Sequence, residues 1–186
     1  MTQASDRVPE QLLTEEFALW KAADRQVRLF LRDDDAISDT PALRKLSELC
    51  EQNSAPLLLA AIPKFADNSL AELVKRSPLL TPAVHGFAHV NHSPLGQKTC
   101  ELDRFRPLEV VIREMKTARK KLHDLFDGNV SALLVPPWNR IHDEILPHVI
   151  PLGFGGISAH GWKKPQTLIP AVNVHLDIMH WSGGTV

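Results

Sequence analysis

Tyrosine is absent from the 186 residues, and cysteine occurs only as Cys50 and Cys100. Two cysteines without a partner at metal-binding spacing exclude a disulfide scaffold and a cysteine-based zinc cluster. A charge excess is lacking too: 21 basic residues against 22 acidic ones leave a formal net charge of −1. That balance offers no electrostatic footprint for nucleic acid or for an anionic membrane. No apolar run approaches the roughly 20 residues that span a bilayer. The opening stretch, MTQASDRVPEQLLTEEF, has neither the basic nor the apolar region of a secretory signal. A reducing, cytoplasmic setting is therefore the expectation. One domain over residues 1–186 is expected as well, since domains commonly hold roughly 100–200 residues.

What is present is unevenly spread. There are 14 prolines, and the 9 histidines crowd toward VHGFAHVNH, which holds His85, His89 and His92. The stretch LFLRDDDAIS sets Asp33, Asp34 and Asp35 side by side at the end of an apolar run. Three adjacent carboxylates repel one another, so the interior of a helix or strand would not select them without a compensating partner.

Hydrophobic patterning divides the chain into alternating elements. VRLFLR (27–32) reads as a strand. A helix follows, with Thr40 as N-cap, Pro41 in the first position and Leu43, Leu46, Leu49 and Cys50 as one stripe. PLLLAAI (56–62) reads as a buried parallel strand, a short helix covers 68–76, and LLTPAVH (79–85) is a third strand. The longest helix is expected from Pro107 to Phe126, on the repeat of Leu108, Val111, Ile112, Met115, Leu122 and Leu125, with Gly128 as its stop. VSALLV (130–135), a short helix at 142–150 weakened by Pro147, and strands in FGGIS and AVNVHL complete the order. The alternation implies an α/β fold with a mainly parallel sheet, in which chemistry gathers at the carboxyl ends of strands. The aspartates, the histidines and PPWNR all fall at such ends.

On a helix, His85 and His89 would sit one turn apart and could reach one ion. A carboxylate from elsewhere would complete a set suited to zinc, cobalt or nickel. Each feature also has a bland reading. The aspartates could be a solvated loop that caps the next helix, His85 a core histidine bonded to backbone, and His92 a loop residue. His123 and His148 read as surface residues, and Trp162 as either a sugar-facing or a packing aromatic.

RDDDA, HGFAH, PPW and DIMHW, in that order, resemble the motifs of the polysaccharide deacetylases, carbohydrate esterase family 4 with a NodB-type fold. The likeness spans about residues 27–181. It implies a distorted (β/α) barrel of about seven strands and a metal-dependent hydrolase that removes an N-acetyl group from a carbohydrate or another N-acetylated small molecule. Aligning DDA with the family's D-D-G makes Asp34 the general base and Asp35 a metal ligand. A frame shifted by one competes, because Asp33 is extra. His85 and His89 match the ligands of H-[ST]-x-x-H, with Gly86 in place of the hydroxyl residue. Trp138 takes the aromatic position of R-x-P-Y, where a backbone N–H would face the oxyanion. The metal would be zinc, with cobalt or nickel as alternatives.

Several departures accompany the match. Val135 stands where the family's third-motif arginine would be, and His180 where the second aspartate of D-x-x-D-W would be. Arg140 is the expected substitute for the missing cation beside the base. The family's final L-x-H histidine has no counterpart, so His180, or else His175, is expected to protonate the leaving amine, and the barrel is expected to be incomplete at its C-terminus. An incomplete barrel exposes strand edges that a second copy of the chain could cover. A catalytically impaired carbohydrate-binding domain and a hydrolase of another small amide are the rival readings.

Overall fold

The computed structural model describes residues 9–26, 29–162 and 169–177. The chain divides into two units, Met1–Phe30 and Leu31–Val186. The first unit holds helix α1 (Pro9–Ala22), which the sequence reading does not anticipate. Its apolar residues Leu12, Leu13, Phe17 and Leu19 are all substantially exposed, so no single buried stripe announces it.

The second unit runs β1 (Leu31–Ala36), α2 (Pro41–Gln52), β2 (Leu57–Ala61), α3 (Asn68–Arg76), β3 (Leu80–His85), α4 (Leu108–Leu125), β4 (Leu133–Val135), α5 (Leu146–Val149) and β5 (Gly156–Ile157). All pairings are parallel, and the spatial order β1-β2-β3-β4-β5 is the sequence order. A sheet wound in one direction, with no reversal of order, has barrel-type topology rather than that of a doubly wound open sheet. Beyond β5, the segment expected as a strand in AVNVHL makes only isolated bridges, Ile157 with Ala171 and His160 with Val174. The described residues thus hold five strands of the barrel.

The helices form where their local signals stand. The Thr40 hydroxyl accepts the Leu43 amide at 3.1 Å and starts α2. Asp67 accepts the amides of Ser69 and Leu70 and starts α3. Gly128, at φ +81°, supplies the left-handed turn after α4. Leu59, Leu70, Leu80, Met115, Leu122 and Leu134 are fully buried members of the core between helices and sheet. The other face of the sheet carries small side chains, Ala60, Ala83 and Val135, packed with Leu58. Small residues on a concave face leave room for curvature.

The first strand differs from its expected place. It begins at Leu31 and contains all three aspartates, whereas the sequence reading ends it at Arg32. Residues 27 and 28 of the expected strand lie outside the described residues. Asp33 pairs with Leu59 but Ala36 with Ala61, so β1 carries one extra residue over that interval. This bulge, with Asp35 at φ +69°, breaks the alternation of sides along the strand. The sequence reading placed the aspartates beyond the strand, since a regular strand interior would not select three such charges; the bulge lets β1 carry them.

Candidate metal centre

The bulge sends the three carboxylates to three environments. All three line a cavity of about 320 Å³ together with Leu43 and Leu46 of α2, but their partners differ. Burial, reinforced by the charges of Asp34 and Asp35, raises the Asp33 pKa above the usual carboxylate value. Asp34 shares the side of the strand that carries Arg32, two residues earlier. Asp35 swings to the carboxyl end of the sheet and meets two imidazoles.

His85 ends β3 and is almost fully buried; His89 lies four residues on. They do not share a helix, on which they would have stood one turn apart. A loop takes its place, with Gly86 at φ +61° and His89 at φ +54° bringing the rings to a centroid separation of 5.1 Å. His85 Nε2 lies 3.1 Å, and His89 Nε2 3.2 Å, from the same oxygen, Oδ1 of Asp35. One donor atom from each of the three residues falls within a 4.8 Å sphere of separations. His92, the third histidine of the cluster, is not a member of this group.

His85 Nδ1 is 2.9 Å from the Val135 carbonyl oxygen, which can only accept. Nδ1 therefore carries the hydrogen, and in the neutral ring Nε2 presents a lone pair to the Asp35 carboxylate. Two acceptors face each other at 3.1 Å, a contact that is favourable only with a cation or a proton between them. With a proton as the bridge, the hydrogen bond from His85 and then the charges of both imidazoles lower the Asp35 pKa, against partial burial. The donor set fits a divalent metal. Bonds of about 2.0–2.1 Å to nitrogen and oxygen in a tetrahedral site imply ligand-to-ligand edges of about 3.3 Å, close to the two separations found. The backbone carbonyl on the distal ring nitrogen is the usual support for a metal-binding histidine.

Asp34 is held by Arg32, not by Arg140. Arg32 Nη2 donates to Asp34 Oδ2 at 3.0 Å, and Nε stands 2.9 Å from Oδ1 as an ion-pair contact lacking hydrogen-bond geometry. The same guanidinium donates to Asn139 Oδ1 at 2.6 Å and to the carbonyls of Ser158 and Ala159. One side chain thus orients Asp34 and ties β1 to the chain just after β5. Arg140 instead donates to the carbonyl and hydroxyl of Thr99. The expected replacement cation comes from the first motif itself, on the residue two before Asp34. Strand alternation, which puts i and i+2 on one side, was the signal available for it.

Trp138 and Asn139 follow β4 at φ +53° and +58°, a strained pair that sets the indole against His89 with ring centroids 4.2 Å apart. The Trp138 indole therefore lies against the candidate centre. Trp162 is largely exposed and stacks on His175, ring centroids 4.1 Å apart. His180 lies outside the described residues.

No protein-family model and no curated protein sequence matches the chain. Solved structures do. A Streptococcus pyogenes deacetylase, PplD, solved with acetate, superposes with a TM-score of 0.61 at 15% identity, covering 90% of this chain and 71% of the other. A de-N-acetylase from Aggregatibacter actinomycetemcomitans gives 0.60 at 12% identity over 93% and 87%. A family 4 carbohydrate esterase from Streptomyces lividans, also with acetate, gives 0.50 at 15% over 70% and 60%. The fold is thus that of the polysaccharide deacetylases, as the motif resemblance implied.

Proposed function

We propose that the chain is a metal-dependent hydrolase that removes an N-acetyl group from a sugar or polysaccharide. The observation that carries this reading is the convergence of two imidazole nitrogens on one oxygen of Asp35, with the His85 tautomer fixed by Val135. The fold shared with structures named as deacetylases supports it.

Asp35, His85 and His89 would hold the ion, zinc being the first candidate and cobalt or nickel the alternatives. When bound, such an ion supplies Lewis-acid activation of water and of a carbonyl. Asp34 is the base in this reading: it adjoins the ligand Asp35, and Arg32 fixes its carboxylate in one orientation. The Trp138 backbone N–H is assigned to the oxyanion and its indole to shielding the centre from bulk water. His180 is assigned the proton that the leaving amine must receive.

The test is acetate release from N-acetylglucosamine oligomers by metal-loaded protein. Release that disappears in Asp34→Asn, while that variant keeps its metal, supports the assignment. Oligosaccharide binding without acetate release would instead make the chain a carbohydrate-binding domain on a deacetylase fold.

A further inference from the structure

Glu101 is a buried carboxylate, 1% exposed, in the long connection between β3 and α4. Among the described residues no cation pairs with it. Its two oxygens are instead directed at backbone: Oε2 accepts the Phe87 amide at 3.1 Å and Oε1 the Ala88 amide at 2.7 Å. Those amides belong to the loop between the two histidines. Successive N–H groups gathered on one anion force a tight local curl, and here the curl ends in the left-handed φ of His89.

The neighbouring residue confirms how closely the carboxylate is seated. A Cβ on Gly86 would lie 1.9 Å from Glu101 Oε2 and 2.6 Å from Pro137 Cγ. Glycine at position 86 and glutamate at position 101 are therefore complementary: the carboxylate fills the space that a serine or threonine side chain would need. Glu101 is itself anchored from both sides. Cys100 donates its amide to Asn91 Oδ1, Thr99 holds Arg140, and Leu102 bridges to Ile141 and accepts the His142 amide. The strap 99–102 thus joins the loop that carries His89 to the loop that carries Trp138.

We infer that Glu101 is the positioning residue of the metal centre, its carboxylate setting the loop conformation that delivers His89 Nε2 to Asp35. This rests on the metal reading of the site above. Loss of Glu101 would leave all three ligands in place and release the backbone that aims one of them. Outer-shell partners of this kind typically change metal affinity by about 10–100-fold.

The experiment is titration of chelator-stripped wild type, Glu101→Ala and Glu101→Gln with Co²⁺ alone, following the visible absorption of the bound ion, with circular dichroism to establish folding. The expected result is one Co²⁺ per wild-type chain, weaker binding by about 10–100-fold in the variants, and an altered cobalt spectrum. Gln keeps one acceptor but turns an N–H toward the other amide, so a folded Gln variant suffices if Ala does not fold. Variants that bind cobalt with wild-type affinity and spectrum would overturn the positioning role alone. A folded wild type that takes up no cobalt would overturn the metal reading, and the positioning role with it.

Discussion

Replacing Arg32 with Met keeps most of the side-chain bulk and removes the guanidinium from four partner residues at once, Asp34, Asn139, Ser158 and Ala159. The Arg32 side chain is 4% exposed and that of Asp34 29%, so the pair lies between an exposed ion pair and a buried one. Exposed pairs contribute about 0–1 kcal/mol, whereas removing one partner of a buried pair costs about 3–5 kcal/mol. Water can reach part of Asp34 but not the whole carboxylate, which favours about 3 kcal/mol, including the stranded Asn139 and Ser158 acceptors. For a chain of this size that corresponds to a fall in Tm of about 6–12 °C. Activity should fall further than stability explains, by about 10²-fold in kcat, because the base loses its orientation. Arg32→Lys keeps the charge but not the fork, and should lose about 1–2 kcal/mol. Urea unfolding of metal-free protein and acetate-release kinetics at fixed metal content measure the two effects. A stable Arg32→Met with undiminished kcat would refute the argument that Arg32 orients Asp34 and closes the sheet.

The remaining expectations concern the other carboxylates and the glycine. Asp35→Ala, His85→Ala and His89→Ala should each abolish stoichiometric zinc or cobalt binding, whereas Asp34→Asn should retain it; metal content by mass spectrometry decides. Asp33 titrates above its ordinary value of 3.8 because folding buries it. A raised folded pKa means that stability is complete below the unfolded value and declines as pH rises through the folded one. Asp33→Asn should therefore be more stable than wild type at pH 7 and lose that advantage toward pH 3, which chemical denaturation across that range would show or deny. Gly86→Ser, which restores the hydroxyl seen in the deacetylase motif, should be destabilising by more than about 3 kcal/mol, since a Cβ there meets Glu101 and Pro137 at a positive φ. A Gly86→Ser protein with wild-type Tm would show that the Glu101 carboxylate can yield.

The parts of the fold carried by local chemistry were legible in the chain. Thr40-Pro41 announces α2, the 68–76 helix matches its expected span, and α4 occupies the span its apolar repeat marks, stopping before Gly128. Caps, proline and hydrophobic period act over a few residues, so they survive reading in one dimension. The candidate ligands Asp35, His85 and His89 were legible for a related reason: their residue types and order at strand ends match a known motif set, and the structure brings the three together. Helix α1 carried no such stripe and was not seen.

What tertiary structure alone decided is how those residues meet. The spacing of the histidine pair would suit a helix, but the buried Glu101, fourteen residues past Phe87, accepts amides of the loop that carries them instead. RDDDA showed three like charges in a row, and only the extra residue opposite β2 separates them into a buried carboxylate, one held by Arg32 and one facing two imidazoles. Arg32 was adjacent in sequence, yet its role depends on Asn139 and Ser158, more than a hundred positions away. Sequence fixes which groups are available and which backbone angles are cheap at each position. Pairing a strand against its neighbour, and closing a curved sheet on one arginine, depend on distances that no local pattern encodes.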